Sequence, residues 1–137
     1  MISFEVKQIP EFETKQKVNK LIRNGKCLVD DFKDEIKKDK NIEPELDELV
    51  ATIEDVANGK MVPKNQYRKL HLSSKLQYSA FEIKSKHLRL YLIHERDTGQ
   101  IHILGGKKGE QDEDIKRVEK TIKEYTTFKQ SKKKYKI

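Results

Sequence analysis

The amino-acid sequence predicts an α+β fold in which a small, mainly antiparallel sheet packs on an α-helical hairpin and a C-terminal helix. Alternating apolar and polar segments bounded by turn residues indicate strands, and apolar residues three or four positions apart indicate helices. These patterns follow one another in the order β-α-α-β-β-β-α. The length of 137 residues fits one domain, which we place at residues 1–128, followed by a basic C-terminal tail at residues 129–137.

The N-terminal half supplies one predicted strand and two predicted helices. Residues 2–8 alternate between apolar and polar side chains, as in a strand. A first helix is expected to begin near Phe12 and to continue to Ile36, because its apolar residues are spaced as on one helical face. Gly25 would kink or break that helix. A second helix is expected at residues 44–58, with its apolar side chains on one side.

The C-terminal half supplies three strands and the last helix, all between residues 79 and 126. A short alternating segment is followed by two runs rich in aliphatic and aromatic residues, at 88–96 and 100–105. We centre the two connecting turns on residues 86–87 and 98–99. Gly99 can supply the positive φ that a hairpin turn usually needs.

These turn positions would bring cationic side chains together across the sheet. Lys84 would lie opposite Arg89, and Arg89 opposite Lys108, with Glu82 and Tyr91 as the next pair on the same face. Directly opposed residues share a face, with their Cβ atoms ~5 Å apart. A shift of one residue in the register would scatter this row. In a chain with 39% charged residues, the row is either a phosphate-binding face or a solvated surface.

Charge is divided unevenly along the chain. Residues 1–60 contain 11 Lys and Arg against 14 Asp and Glu, whereas residues 61–137 contain 19 against 9. The second half therefore carries a net charge of +10 within a total of +7. Such segregation favours a polyanionic partner and salt-dependent binding. It does not distinguish RNA from DNA, or either of them from an acidic protein.

Residues from about 66 to 126 carry a resemblance to a known family, through two short segments followed by the terminal helix. The two segments are FEIKSKHLRLYL at residues 81–92 and HILGGKKG at residues 102–109. In this order they resemble the central hairpin and the next strand of the RelE/HigB/ParE superfamily of bacterial toxin–antitoxin toxins. The resemblance implies a RelE-like fold and the activity of a ribosome-dependent mRNA endonuclease (mRNA interferase). It also implies a cognate antitoxin as partner.

The resemblance also implies roles for individual residues. Arg89 matches the strand arginine of the family, Lys84 matches a basic residue of the preceding strand, and Lys108 belongs to a Lys pair after the last strand. These three are the predicted catalytic residues, since Arg and Lys place positive charge where negative charge develops in RNA cleavage. Glu82 stands where some members have a further Lys, which leaves the general base open. Four further residues are expected to bind nucleic acid: Lys107, Lys86, His87 and Tyr91.

Other classes of function remain open or are disfavoured by the sequence. A ParE-like inhibitor of DNA gyrase and a non-enzymatic RNA-binding or ribosome-binding module are the alternatives to the nuclease.

No run of 18 apolar residues and no secretion signal is found, so we expect no membrane partner. The single cysteine fits a cytoplasmic protein. No zinc-ligand spacing or phosphate-binding loop indicates a metal or a small-molecule cofactor. His87 is a candidate general base.

Overall fold

The computed structural model describes residues 2–72 and 75–134, with side chains as far as Lys132. In chain order, the elements are β1 (Phe4–Gln8), β2 (Val18–Arg23), α1 (Leu28–Lys37), α2 (Glu45–Ala57), β3 (Tyr67–Lys69), β4 (Ala80–Lys84), β5 (Leu88–Glu95), β6 (Gly99–Lys107) and α3 (Gln111–Lys134). The order is thus β-β-α-α-β-β-β-β-α. The predicted order β-α-α-β-β-β-α, and with it the predicted RelE-like arrangement, is wrong, although the fold is broadly α+β.

The six strands form one mixed sheet in the order β1-β2-β6-β5-β4-β3. Every neighbouring pair is antiparallel except β2 and β6, which are parallel. Helices α1 and α2 cover one face, where Phe32, Ile36 and Leu49 pack on the strands. Helix α3 covers the other face through Val118 and Ile122.

The residues of β2 were predicted to belong to the first helix, and this is the larger of the two errors in the predicted element order. Its apolar residues Val18 and Leu21 lie three positions apart, a spacing that suggested a helix. In the structure they point to opposite faces, because Val18 packs on the α1 and α2 side and Leu21 on the α3 side. Asn24 and Gly25 then have φ values of 48° and 80°, as in a type I′ turn, and end the strand.

The strand β3 was absent from the predicted order because it has almost no sequence signal. It contains only three residues, pairs with β4 at the edge of the sheet, and leaves Arg68 and Lys69 exposed. An edge strand of this length lacks the run of alternating residues on which strand prediction depends.

The parallel contact between β2 and β6 joins the N-terminal hairpin to the rest of the sheet. The backbone N–H of Gln100 donates to the carbonyl of Lys17 at 2.9 Å. The buried side-chain amide of Asn19 donates to the carbonyls of Thr98 and Gln100, at 2.9 and 2.8 Å. Gly99 fits here because a Cβ atom would lie 2.3 Å from the Lys17 carbonyl oxygen.

Helices approach β6 closely from both sides at Gly105 and Gly106. A Cβ on Gly105 would lie 2.3 Å from a ring atom of Phe32 in α1. A Cβ on Gly106 would lie 1.9 Å from Oδ2 of Asp114 in α3. Glycine inside a strand often marks such a close approach. The pair therefore sets how near both helix layers lie to the sheet.

The second half of α3 is held against the sheet through the carboxylate of Glu95. Tyr78 donates its hydroxyl to Glu95 at 2.7 Å, Tyr125 does so at 3.2 Å, and Lys129 lies 3.8 Å away. The helix continues to Lys134, so residues 129–134 of the predicted tail are helical. Residues 135–137 lie outside the described part of the chain.

Within the described residues, none of the three helices is both long enough and apolar enough to cross a membrane.

Replacing Gly105 by Ala is expected to destabilise the protein, because the new methyl group would overlap the buried Phe32 ring. Overpacking of this kind costs about 1–3 kcal/mol, which outweighs the roughly 0.5–1 kcal/mol by which Ala is favoured over Gly in a strand. Urea unfolding of the parent and the variant measures the change. In a Phe32→Ala background the same substitution should cost much less. An equal cost in both backgrounds would contradict the proposed contact.

Candidate active site

The first predicted hairpin register is confirmed. Lys84 lies opposite Arg89, and Glu82 lies opposite Tyr91, on the face of the sheet that α3 covers. The β4–β5 turn therefore lies at residues 85–87, next to both cationic side chains. The candidate site consists of this turn and the side chains around it.

The second predicted hairpin register is wrong. Glu95 pairs with Gly99, so the turn lies at residues 96–98 rather than being centred on 98–99. A β-bulge then leaves Ile103 without an opposite residue, and Arg89 pairs with Gly106. Lys108 lies two residues beyond that position, so the predicted three-residue cationic row does not form. Only its Lys84 and Arg89 pair is present.

Lys107 and Lys108 lie beside the β4–β5 turn instead. Lys107 ends β6 opposite Leu88, and its Nζ is 4.0 Å from a carboxylate oxygen of Glu35. The backbone N–H of Lys108 donates to the carbonyl of His87 at 2.8 Å. The structure thus gathers the predicted lysines around the turn, although not in the predicted row.

Arg89 is the most buried of the predicted catalytic residues, with 6% of its surface exposed. One terminal nitrogen donates to the carbonyls of Ser85 and Leu88, at 2.7 and 2.8 Å. Its Nε has no hydrogen-bond partner in the described part of the chain. Arg89 therefore stabilises the turn that carries the site, and its replacement would disturb packing as well as any contact with phosphate.

Tyr91 is fully buried, so it does not face solvent where RNA would lie. Burial, with a further contribution from the charge of Glu82, raises the pKa of its hydroxyl. Glu82 is also fully buried and accepts a hydrogen bond from Nε of Arg68 at 3.0 Å. These groups, with Asp114 above Gly106, form a polar layer between the sheet and the start of α3.

The site contains an acidic residue that sequence reasoning missed. Glu45, the first residue of α2, is only 9% exposed and reaches the β4–β5 turn. Three groups of that turn donate to its carboxylate. They are the Ser85 hydroxyl, the backbone N–H of His87 at 2.8 Å, and Nδ1 of the His87 ring.

These hydrogen bonds fix the tautomer that a neutral His87 ring adopts. Burial acts to raise the pKa of Glu45, but the hydrogen bonds from Ser85 and His87 outweigh it and lower the pKa below 4.5. Glu45 is therefore a carboxylate at neutral pH and can only accept hydrogen bonds. The hydrogen of the neutral ring must then lie on Nδ1, which leaves a lone pair on Nε2. The His87 side chain is 49% exposed, and Nε2 has no hydrogen-bond partner in the described part of the chain.

No pattern in the sequence links Glu45 to His87, because more than 40 positions separate them and Glu45 belongs to no motif. Three acidic residues, Glu45, Asp47 and Glu48, lie in the first turn of α2, where carboxylates commonly favour the helix dipole. Only the packing of α2 against the end of β4 distinguishes Glu45 from the other two.

The arrangement combines one proton-transfer group with several cations. A carboxylate that orients an imidazole through Nδ1 leaves Nε2 free to take or give a proton at a substrate atom. Lys84 and Lys107 are partly buried, and Lys86 and Lys108 are exposed, around the same turn. Such groups can neutralise a phosphate while a neighbouring hydroxyl is deprotonated.

Within residues 2–72 and 75–134, no group of three or more His, Cys, Asp or Glu side chains is placed to hold a metal ion. No family model, curated protein or solved structure matches the chain. The resemblance of residues 66–126 to the toxin superfamily therefore stays a prediction from sequence.

Replacing Glu45 by Gln should reduce stability in a pH-dependent manner. At pH 7 the loss of a buried, multiply bonded carboxylate is expected to cost about 1–3 kcal/mol. Because the folded pKa of Glu45 is lowered, its contribution is present above the unfolded pKa and disappears as the pH falls through the folded value. Urea unfolding from pH 7 to pH 3 should show the two proteins converging.

The matched control is Glu48→Gln, which removes an exposed carboxylate from the same helical turn. It should change stability little at any pH. A deficit in Glu45→Gln that does not depend on pH would show that the ionised carboxylate does not hold the turn.

Proposed function

We propose that the protein is an endoribonuclease that uses His87 and the surrounding cations, and that it acts as the toxin of a toxin–antitoxin pair on ribosome-bound mRNA. The nuclease part of this proposal is supported by contacts in the structure. The toxin part is supported by the resemblance of residues 66–126 alone. A cytoplasmic location and a cognate antitoxin belong to the same proposal.

One observation carries the nuclease proposal: the His87 ring donates a hydrogen bond to Glu45. His87 lies in the turn that Lys84 and Arg89 border. A histidine on a surface turn is usually free to rotate. This one is fixed by a buried carboxylate that also binds the backbone of the same turn. The free nitrogen is thereby held at a defined position on a turn that Lys84 and Lys86 belong to or border and that the backbone of Lys108 contacts.

The proposed reaction is an internal transesterification of RNA. Nε2 of His87 accepts the proton of a ribose 2′-hydroxyl, and the 2′-oxygen forms a bond to the adjacent phosphorus. The bond from phosphorus to the 5′-oxygen breaks, leaving a 2′,3′-cyclic phosphate and a 5′-hydroxyl. His87 returns its proton to the 5′-oxygen, so no other reactant is needed. Lys84 and the neighbouring lysines stabilise the charge of the pentavalent intermediate.

A second candidate function, a non-enzymatic RNA-binding module, is favoured by one specific observation. Arg89 donates to two backbone carbonyls and is almost fully buried, as expected of a structural residue. In that case the exposed lysines of the turn would bind phosphates without cleavage. The two candidates differ in whether His87 is needed for more than binding.

Expression of the protein without a partner should arrest growth and cut ribosome-bound mRNA. Mapping transcript ends and measuring growth after induction test both parts together. Intact transcripts during a clear arrest would point to a gyrase inhibitor instead, which a supercoiling assay would detect. If neither growth nor transcripts change, the binding module is the better account.

His87→Ala should lower the rate of RNA cleavage by about 10²–10⁴-fold, the range that general acid–base catalysis contributes. RNA binding should be nearly unchanged, because the lysines remain. Cleavage is followed with purified protein on ribosome-bound and free mRNA, and binding by fluorescence anisotropy. His71→Ala, which removes another exposed histidine, is the control and should cleave at the parental rate. A folded His87→Ala protein with parental activity would rule out this site.

A further inference from the structure

A second basic surface lies on α3, outside the turn that carries His87. A groove of about 420 Å³ separates the β2–α1 turn from α3. Arg23 and Lys26 lie on one wall, and Arg117 and Lys120 lie on the other. Glu124 is the one acidic residue of the lining, and Arg23 already binds it through two hydrogen bonds of 2.9 and 3.0 Å.

The three other cations are largely available to a ligand. The Lys26 side chain is 70% exposed, and its Nζ lies 3.8 Å from Asp31. The Arg117 side chain is 55% exposed, with its guanidinium 3.6 Å from Asp114. Lys120 is exposed and makes no ion pair with the described residues. The Lys26 pair is exposed on both sides and therefore weak, so an anion can replace Asp31 at little cost. Arg117 has five N–H donors and can contact an anion while it stays beside the buried Asp114.

Asn24 adds a fixed polar group to the first wall. Its backbone is in the left-handed region, with φ of 48°, and its Oδ1 accepts a hydrogen bond from the backbone N–H of Ser3 at 2.8 Å. With Oδ1 engaged, the side-chain NH₂ of Asn24 is left to donate. Side-chain amides are common donors to phosphate and sugar oxygens.

The groove is connected to the candidate active site through Arg117. Asp114, which Arg117 contacts, packs against Gly106, and Gly106 lies opposite Arg89 in the sheet. One helical turn of α3 therefore lies between the groove and the polar layer beneath the active-site turn. A flexible chain bound at one place can reach the other.

We propose that this groove binds the phosphate backbone of single-stranded RNA next to the cleavage point. The inference rests on the proposed nuclease function and adds a binding site to it. The groove offers cations and an amide, and Leu28 is the one aliphatic hydrophobic residue of its lining. Phosphates need only such cations, whereas a protein segment that orders on binding needs apolar contacts as well.

The test compares Lys26→Ala/Lys120→Ala with a matched control, Lys33→Ala/Lys64→Ala, which removes two exposed lysines elsewhere. Both are made in the His87→Ala protein, so that RNA stays intact. Affinity for a labelled single-stranded RNA is measured by fluorescence anisotropy over a range of salt concentrations. Loss of two phosphate contacts should lower the slope of log affinity against log salt by about 1.4, since each contact contributes about 0.7.

With His87 present, the groove variant should cleave a short oligonucleotide at the parental rate and a long RNA more slowly. Parental affinity and salt dependence for RNA would overturn the groove proposal and leave the nuclease standing. If only binding of an acidic protein were weakened, the groove would belong to that partner and the proposal would be wrong. Failure of the parent protein to cleave any RNA would instead overturn the proposed function, independently of the binding result.

Discussion

The parallel contact between β2 and β6 is the constraint on which the rest of the structure depends. It is the only parallel neighbour pair in the described sheet, and it joins residues about 80 positions apart through Asn19 and the carbonyls of Thr98 and Gln100. A parallel pair needs a long crossover connection, and here the connection contains α1, α2 and three strands. The N-terminal hairpin is therefore fixed only when the C-terminal strands have formed. That pairing also sets the layer of α1 and α2 over one face.

The β4–β5 turn is a candidate catalytic site because the position of α2 in that layer brings Glu45 into contact with it. Glu45 begins α2 and is directed at the β4–β5 turn, where it satisfies both backbone and side-chain donors of the turn. Burying a carboxylate costs free energy unless it is hydrogen-bonded, so Glu45 needs the donors of the turn. The same hydrogen bonds hold the turn in place. On the other face, Asp114 approaches through the space left by Gly106. The same stretch of sheet is thus shaped from both sides.

Local chemistry was enough to predict α2, the β4–β5 hairpin and its register, because each depends on neighbours within a few residues. It failed at β2, where burial on both faces removes alternation and mimics a helical spacing in Val18 and Leu21. It failed again at the β5–β6 turn, because Gly99 begins β6 instead of lying in the turn, and this displaces Lys108 from the position opposite Arg89. The lysines and His87 were found from their position in the hairpin. Glu45 was not, since its role arises only from the packing of a distant helix.

The bulge at Ile103 has a consequence for how sequences of this architecture can diverge. Ile103 and Leu104 both pack on the α3 side, and alternation resumes after them, so that Gly105 meets α1 and Gly106 meets α3. Deleting Ile103 would leave a regular ladder in which both glycines keep their partners in β5. Inserting one residue after Leu104 would instead exchange the two glycines between the helix layers and turn Lys107 over. A change of one residue in length is therefore compatible with β6 at the bulge but not between Leu104 and Gly105. In sequences of this architecture, length variation within β6 should therefore be confined to the bulge.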